Sequence, residues 1–307
     1  MAGVLDFRIE SFLAVCRHMN YTRAAEELSL TQPAVSQHIR WLEERYGTPL
    51  FHYAHKQLVL TPAGELLRTA ATTVQHDDGQ LKRQMQHTLQ APQDLRFGAT
   101  PTVGTYLLPR PLADYHRQHP QAKLFLRVDN TRALCQGIDR GELDFAIVEG
   151  YVRKGEYDTL LYRREPYLAV CAAHYPLSGQ PRRLTDLLEH PLLVREPGSG
   201  NREILSRSLD RSNLSLSDFR VLLEVGDLNV LKQLLLLGCG IAFLYRAAVA
   251  DDLAQGRLRA LRLEDMQEHN DIAFIWRKGS LFARHYQALF QLLCPQGQPS
   301  PPIAPAP

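Results

Sequence analysis

The sequence has few of the features that mark several large classes of protein. Its five cysteines, among 307 residues, are scattered, with no Cys-x-x-Cys pair and no cluster of cysteine with histidine. We expect most of these thiols to be buried, and a redox pair between Cys171 and Cys239 is the minor alternative. No apolar run approaches the length needed to cross a bilayer, and the N-terminus lacks the pattern of a signal peptide. The sequence therefore predicts a cytoplasmic protein that does not enter a membrane.

Motifs for catalysis are missing as well. The chain contains no Gly-x-Ser-x-Gly, His-Glu-x-x-His, Walker A or Gly-x-Gly-x-x-Gly sequence. Its twelve histidines are dispersed, and the neighbours His116 and His119 have no further ligand close in the sequence. We therefore expect no enzymatic activity, no metal and no cofactor.

Strong charge of one sign is also absent. The net charge is only +2, and the first 60 residues hold six basic and six acidic side chains. This balance counts against an indiscriminate polyanion binder, but it leaves open one whose few cations are well placed. The hydrophobic fraction of 45% and the charged fraction of 22% are typical of a soluble globular protein. The length predicts two or three domains.

Residues 22–46 predict two short helices joined by a tight turn, with Leu28 and Leu30 on either side of it. We expect Thr22 to cap the first helix and Thr31 to cap the second, whose first turn accommodates Pro33. In the second helix an apolar stripe runs along one side and polar side chains lie on the other. The stripe comprises Val35, Ile39, Leu42 and Tyr46, and the polar side comprises Gln32, Ser36, Gln37 and Arg40.

The polar side consists of groups of the kind that contact base edges in a major groove, as in a helix-turn-helix. An ordinary amphipathic pair with a solvated face is the alternative. A helix within 5–19 is expected to pack beneath the pair, and residues 50–60 predict a hairpin. A hairpin in this place is a wing, which can touch phosphates or the minor groove beside the second helix.

A long helix is predicted to begin at Pro62, with Thr61 as its cap, and to run for about 27 residues. Its apolar side chains recur every three or four residues, with an interruption at 77–79. Because one apolar stripe on a lone helix needs a partner, we expect the same helix of a second subunit to cover it. Packing on the chain's own globular domain is the alternative. A hinge is expected at 91–93.

From residue 95 onward, runs typical of strands alternate with amphipathic helices, and this order predicts an α/β fold with a parallel sheet. Strands are expected at 95–100, 123–128, 143–149, 167–172, 191–196, 219–225, 240–245 and 271–276. Helices are expected near 104–118, 131–140, 201–211, 227–237 and 280–293. Two similar α/β halves are implied, and the proline-rich end of the chain is expected to be disordered.

Two loops between a predicted strand and a predicted helix, at 100–104 and 195–201, combine hydroxyl groups with backbone N–H groups at a helix N-terminus. This arrangement favours bound anions. Ligands of open α/β sheets bind beyond the carboxyl ends of the strands, so one loop from each half would face a shared cleft. A plain turn with a helix cap is the alternative for either loop alone. Asp144 and Glu149 flank a buried strand and are expected to be structural or to contact the ligand.

The string AAEELSLTQPAVSQHIRWLEERYGTPLF at 24–51, followed by LTPAG at 60–64, resembles the DNA-binding head of LysR-type transcriptional regulators. GATPTVGTYLLP (98–109), GELDFAIVEG (141–150), REPGSGNRE (195–203) and LLLLGCGIAFL (234–244) resemble the effector domain of that family. The resemblance extends over residues 5–293. It implies a transcription regulator whose dimers assemble into tetramers on an inverted-repeat site in double-stranded promoter DNA.

The resemblance also implies a fold class. This is an N-terminal all-α winged helix-turn-helix with a long linker helix, then an α/β two-lobed effector domain like that of periplasmic binding proteins. The expected divisions are a DNA-binding head at 1–61, a linker and dimerisation helix at 62–90, an effector domain at 91–295 and a disordered tail at 296–307. Lobe I would comprise about 91–164 and 268–295, and lobe II about 165–267.

By position, the resemblance assigns two sets of contacts. The expected DNA contacts are Thr22, Arg23, Gln32, Pro33, Ala34, Ser36, Gln37, Arg40, Tyr53, His55 and Lys56. The expected contacts to a small, anionic effector between the lobes are Thr100, Thr102, Glu149, Arg195, Gly198, Ser199, Gly200 and Asn201. Tyr53 stands where the family usually has arginine, and Asn201 where similar loops often have threonine. A constitutive DNA-binding regulator and a solute-binding α/β protein are the alternative functions.

Overall fold

The computed structural model describes residues 6–86, 95–153, 155–177, 179–266 and 269–294. The chain divides into two compact units. The first comprises Met1–Gln90 with the short segments Gly137–Asp144 and Arg277–Phe282, and the second comprises the remainder. The expected hinge at 91–93 and tail at 296–307 lie outside the described residues. No helix within the described ranges is long and apolar enough to cross a membrane.

Three helices open the first unit: α1 (Phe7–His18), α2 (Tyr21–Leu28) and α3 (Gln32–Tyr46). The predicted stripe of α3 faces their common core, although its last member, Tyr46, is half exposed because α3 ends there. The small side chains of α2 let α1 and α3 pack closely against it. The core includes Phe12, Val15, Ala24, Ala25, Val35, Ile39, Leu42 and Leu50.

The helix caps confirm one prediction and correct another. Thr31 caps α3, since its hydroxyl accepts a hydrogen bond from the Ala34 N–H at 3.3 Å, and Pro33 lies in the first turn. Thr22 does not cap α2. The cap is Asn20, whose side-chain oxygen accepts from the Arg23 N–H at 3.1 Å, and the helix has already begun when the chain reaches Thr22. The earlier start follows from the extended backbone of Asn20, which lets its side chain reach that amide.

The predicted wing is confirmed as a hairpin of β1 (Phe51–Ala54) and β2 (Gln57–Leu60). His55 and Lys56 form the two-residue tip, and both have positive φ, at 50° and 63°. This is the backbone of the tight turn whose twist matches that of the flanking strands. The carboxylate of Glu43 on α3 accepts from the Leu50 N–H at 2.8 Å and so fixes the start of the wing.

The long helix α4 (Pro62–Gln86) begins where predicted, because the Thr61 hydroxyl accepts from the Gly64 N–H at 3.0 Å. It runs without a break through 77–79. The apolar spacing is interrupted there because His76, Asp77 and Gln80 are buried polar side chains. They face the short segments of the first unit. The Asp77 carboxylate accepts from the Ser280 hydroxyl at 2.5 Å and from the Leu281 N–H at 2.8 Å.

The second unit contains a mixed sheet. Its strands, in the described part of the chain, are β3 (Leu95–Ala99), β4 (Leu124–Val128), β5 (Phe145–Glu149), β6 (Tyr157–Ala172), β7 (Leu192–Val194), β8 (Leu222–Glu224), β9 (Ile241–Tyr245), β10 (Leu258–Leu261) and β11 (His269–Arg277). The sheet order is β4-β3-β5-β11-β6-β9-β7-β8, with β10 paired to β6. The pairs β3–β4, β3–β5, β7–β8 and β7–β9 are parallel, as predicted.

The order shows that the sheet is built from two similar halves, which confirms the implied repeat. In each half, the first parallel strand lies between the second and the third. An antiparallel strand then closes each half, β11 beside β5 and β6 beside β9. The loops after equivalent strands therefore occupy equivalent places at the carboxyl ends of the two halves.

The helices of this part are α5 (Pro109–Gln118), α6 (Thr131–Asp139), α7 (Gly200–Arg211), α8 (Leu228–Leu236), α9 (Arg246–Ala254) and α10 (Ala283–Leu293). The helix expected over 104–118 is divided. A π-helical turn covers Val103–Leu107, and α5 starts only at Pro109, because proline has no N–H to continue the ladder. The strand expected at 167–172 begins ten residues earlier, at Tyr157. The pattern gave no sign of α9 or β10.

Candidate DNA-binding surface and effector site

The predicted DNA contacts all lie on the outside of the head. Gln32, Gln37 and Arg40 are exposed on α3, and Ser36 is half-buried with its hydroxyl 2.9 Å from the Gln32 amide nitrogen. Tyr53 is one of the most exposed aromatic side chains of the head. The other predicted contacts are exposed or half-buried: Thr22, Arg23, Pro33, Ala34, His55 and Lys56.

The formally neutral head distributes its charges unevenly. Arg8 pairs with Asp6 at 3.0 Å, and Arg17 pairs with Glu27, so these cations are neutralised locally. By contrast, Arg23, Arg40 and Lys56 form no ion pair with any described residue. These three cations are exposed, as is Gln37 on α3.

In the second unit, most of the predicted effector contacts come together around Glu149, at the carboxyl end of β5. The Thr102 hydroxyl donates to Glu149 Oε1 at 3.3 Å, and the Thr131 hydroxyl donates to the Glu149 backbone oxygen at 2.8 Å. We call the surrounding set the Glu149 cluster. It comprises Thr100, Thr102, Thr131, Glu149, Tyr167, Arg195, Asn201 and Tyr245, all of which are buried.

The start of α7 fits tightly against the end of β5. Gly200 has no side chain, and a Cβ atom there would lie 2.0 Å from the Glu149 backbone oxygen. A Cβ atom on Gly150 would lie 2.5 Å from the Gly200 Cα atom. Glycine at both positions is thus what allows the loop after β7 to reach the loop after β5. Ser199 occupies the cap position of α7, but its hydroxyl does not cap the helix.

The electrostatics of the cluster are dominated by the burial of Glu149. Burial raises the pKa of its carboxyl from 4.5 to about 7, although the Arg195 guanidinium and the Thr102 and Thr100 hydroxyls lower it. Arg195 is itself engaged, since its Nε and Nη2 atoms donate to the Glu196 carboxylate at 2.8 and 3.1 Å. The cluster therefore contains no surplus of positive charge.

Two tyrosines close the cluster and were not predicted from the sequence. Tyr167 and Tyr245 are partners in the pairing of β6 with β9, and their ring centroids lie 5.2 Å apart. The Tyr167 hydroxyl donates to the Asn201 backbone oxygen at 3.0 Å. Burial raises the pKa of both tyrosines well above the ordinary value, so both stay protonated and neutral.

The loop between β4 and α6 was also missed. Asn130 caps α6 by accepting from the Ala133 N–H at 3.0 Å, and its amide donates to Glu196 at 3.2 Å. Arg132 is exposed beside Gly198, at 3.3 Å from the place of a Cβ atom there, and it pairs with no described carboxylate. The sequence did hold a signal, because this loop follows β4 as residues 100–104 follow β3.

A cavity of about 600 Å³ opens beside the cluster. Gly150, the neighbour of Glu149, lines it together with the following loop, and Ile204 of α7 contributes an apolar wall. The remaining side chains come from β6 and β11, including Arg164, which pairs with Asp271 at 3.1 Å. The predicted effector contacts Thr100, Thr102, Arg195, Ser199 and Asn201 do not line this cavity.

The cysteines are all free thiols. Cys171 is buried, burial raises the pKa of its thiol, and the Arg259 Nε atom donates to its sulfur at 3.4 Å. Cys239 is half-buried. A buried thiol with a raised pKa contains little thiolate, which favours a structural role for Cys171 over the redox alternative.

Two family models match the chain. Residues 8–65 match the bacterial regulatory helix-turn-helix protein, lysR family, and residues 90–296 match the LysR substrate binding domain. Among relatives, the HTH-type transcriptional regulator CbbR of Xanthobacter flavus is 31% identical over 251 residues, which cover 80% of this chain and 74% of the relative.

Solved structures show the same architecture. The Corynebacterium glutamicum OxyR C206S mutant, H2O2-bound, has a TM-score of 0.58 at 21% identity, covering 94% of this chain and 90% of that one. The regulatory domain of Synechocystis PCC6803 CcmR in complex with 2-PG has a TM-score of 0.59 at 21% identity, covering 67% of this chain and 99% of that one. At this identity the likeness establishes the fold.

A winged helix-turn-helix followed in the chain by an α/β domain with a buried polar cluster defines a DNA-binding regulator with an effector-binding domain. The chain belongs to the LysR family of transcriptional regulators. The predicted family and fold class are confirmed. The domain boundaries and the role of each site residue stay predictions.

Proposed function

We propose that this LysR-family regulator acts in the cytoplasm as a homodimer or homotetramer. Its affinity for double-stranded promoter DNA changes when a small oxyanion binds at the Glu149 cluster. It is a regulator and not an enzyme. The exposed side of α3 enters the major groove, and the wing contacts the adjacent backbone. Gln37 and Arg40 contact bases or phosphates, and Arg23 and Lys56 neutralise phosphates.

The observation that supports the DNA-binding surface most strongly is that its cations form no ion pairs with described residues. Arg23, Arg40 and Lys56 form no ion pair with a described residue, whereas Arg8 and Arg17 elsewhere in the head do; Arg45, also without such an ion pair, lies over the Trp41 ring. A cation held in a salt bridge must break that bridge before it can bind phosphate. Free cations on the predicted face therefore favour binding there over a merely solvated helix.

Self-association is supported by the surface of α4. Leu66, Val74, Leu81 and Met85 are exposed, and their spacing places them along one side of the helix. The short segments of the first unit contact α4 at Asp77, so the predicted alternative of packing within one chain applies to that part of the helix surface and leaves these four side chains exposed. An apolar stripe left in water favours a second copy of α4 as its partner.

An effector role for the Glu149 cluster is supported by its buried polar groups at the carboxyl ends of β3, β5 and β7. The first-turn amides of α7 and the unpaired Arg132 favour an anion. The related CcmR domain holds 2-PG, an anionic metabolite, and a small oxyanion of this kind is the effector we propose for this chain.

Footprinting on the DNA that flanks the gene for this chain tests the proposal. The expected result is protection of an inverted repeat by the wild type, and loss of that protection in Arg40→Ala with the helical content unchanged. Arg284→Ala is the matched control, because Arg284 is an exposed arginine on α10. Equal footprints from wild type and Arg40→Ala would remove α3 from the proposed surface.

A further inference from the structure

Three buried polar atoms of the Glu149 cluster have no hydrogen-bond partner among the described residues. They are Thr100 Oγ1, Glu149 Oε2 and the Tyr245 hydroxyl. The Thr100 hydroxyl lies close enough to lower the pKa of Glu149, but it lacks the geometry of a hydrogen bond to the carboxylate. Leaving a buried polar atom without a hydrogen bond destabilises the folded protein, so three such atoms in one cluster call for an explanation.

The three atoms differ in whether they can donate a hydrogen bond to a ligand. The hydroxyls of Thr100 and Tyr245 can donate, which suits the oxygens of an anion, whereas an ionised carboxylate oxygen such as Glu149 Oε2 can only accept. A fully deprotonated oxyanion would thus place a lone pair against a lone pair at Glu149. A hydrogen bond forms there only when one proton lies between the carboxyl group and the ligand oxygen.

We propose, resting on the effector site of the proposed function, that Glu149 makes this site selective for an oxyanion that shares one proton with its carboxyl group. The ligand supplies the proton when it carries an acidic O–H group, as hydrogen phosphate does. Otherwise Glu149 must take up a proton from water as the ligand binds. The class of effector is therefore a protonated oxyanion or a hydroxyl-bearing acid, and fully deprotonated oxyanions are disfavoured at alkaline pH.

Among the ionisable side chains of the cluster, Glu149 is the one whose charge changes near neutral pH. Tyr167 on β6 and Tyr245 on β9 stay neutral, since burial raises the pKa of each. Arg195, after β7, forms an ion pair with Glu196. Glu149 itself, with its pKa raised to about 7, can exist in either form at little cost.

Calorimetric titration of the full chain with inorganic sulfate and inorganic phosphate, at about pH 6 and about pH 8.5, tests this proposal. Sulfate brings no proton, so its affinity for the wild type should fall about tenfold for each pH unit above neutrality, with uptake of one proton. Phosphate retains one proton at the higher pH, so its affinity should fall much less. The wild-type comparison needs no variant and does not depend on one folding.

The same titrations on Glu149→Gln give a second test, because the glutamine amide can donate a hydrogen bond to the anion at every pH. Its sulfate affinity should be independent of pH and, near pH 8.5, at least tenfold above that of the wild type. Glu189→Gln, at an exposed carboxylate without an ion pair to a described residue, is the matched control and should keep the wild-type pH dependence.

Two results would overturn the proposal in different ways. Sulfate affinity that is independent of pH in the wild type would show that Glu149 shares no proton, while the oxyanion site itself would stand. If neither anion binds wild type or Glu149→Gln, in protein that still protects its DNA site, the oxyanion site of the proposed function fails together with this selectivity.

Discussion

The buried guanidinium of Arg277 donates a hydrogen bond from Nη1 to the Asp139 carboxylate, 3.1 Å away. The same guanidinium donates through Nη2 to the Thr69 backbone oxygen and through Nε to the Thr73 hydroxyl, both at 3.3 Å and both on α4. The Thr73 hydroxyl in turn donates to the Lys278 backbone oxygen at 3.1 Å. One arginine thus ties two short segments of the first unit to the long helix.

We expect Arg277→Met to lower the free energy of unfolding by about 1–3 kcal/mol, because it removes the hydrogen bonds that the buried guanidinium donates to α4 and to the partly exposed Asp139 carboxylate. Asp139→Asn keeps an acceptor but removes the charge opposite the fully buried guanidinium, so it should cost about 3 kcal/mol. Urea denaturation measures both. Arg284→Met is the control, since Arg284 is exposed. A loss for Arg277→Met no larger than that of the control would contradict the assigned role.

Glu149 should make stability depend on pH. Its pKa is raised from 4.5 to about 7, so the folded state binds the proton more tightly than the unfolded state does. Stability from this group is therefore greatest at low pH and is lost as pH rises from about 4.5 through 7, by an amount on the order of 3 kcal/mol. The measurement is the difference in unfolding free energy between wild type and Glu149→Gln across this range.

The unfolding free energy of Glu149→Gln should increase relative to that of the wild type as pH rises. Glu189→Gln, at an exposed carboxylate without an ion pair, is the control and should give a constant difference from the wild type. A constant difference for Glu149→Gln as well would mean that the carboxyl group is solvated in the folded protein.

Gly200→Ala should damage the effector site without removing any of its polar groups. The new Cβ atom would meet the Glu149 backbone oxygen at 2.0 Å and the Thr131 hydroxyl at 2.8 Å, so α7 must move away from β5. We expect a loss of about 1–3 kcal/mol in stability and weaker phosphate binding. Gly226→Ala is the matched control, because a Cβ atom there meets nothing within 4 Å. Equal melting temperatures for the two variants would refute the close contact.

Gln37→Ala should reduce the discrimination between operator and random DNA by about 1–3 kcal/mol, the range of one good base contact. Its affinity for random DNA should change little, because phosphate contacts supply non-specific binding. Competition gel shifts give both quantities. Gln136→Ala, at an exposed glutamine on α6, is the control, and a specificity ratio for Gln37→Ala equal to that control argues against base contact.

Leu66→Lys should weaken self-association, because it places a charge in the exposed stripe of α4 that we expect a second subunit to cover. Leu237 provides a matched control, since both leucines are 73% exposed and Leu237 lies at the end of α8. Sedimentation velocity should show dissociation of Leu66→Lys at concentrations where wild type and Leu237→Lys remain associated. Identical sedimentation of all three would exclude this stripe from the interface.

Much of the fold could be predicted because local patterns and tertiary structure agree. The stripe of α3, its Thr31 cap and the strand at Leu95–Ala99 follow from periodicity and capping alone. The errors occur where two local solutions compete. Asn20 and Thr22 are both good caps, and only the backbone conformation selects Asn20. The early part of β6, YDTLLYRREP at 157–166, lacks the alternation of polar and apolar residues that predicts a strand, and its pairing in the sheet makes it one.

The candidate site was predictable in its loops but not in its electrostatics. Thr100, Thr102 and Ser199 could be found because hydroxyls follow predicted strands. The central place of Glu149 could not, since it depends on Gly200 coming into contact with the end of β5. Tyr167 and Tyr245 join the cluster through the pairing of β6 with β9, and no local pattern carries information about that pairing.

The central claim is that an oxyanion at the Glu149 cluster alters DNA binding by this regulator. Fluorescence anisotropy on the footprinted operator, with and without saturating phosphate at about pH 7, tests it most directly. Phosphate should change the operator affinity of the wild type by about 5–150-fold, the usual range of allosteric coupling, and should not change that of Gly200→Ala. Identical operator affinities and footprints with and without phosphate, in protein shown by calorimetry to be saturated, would contradict the account.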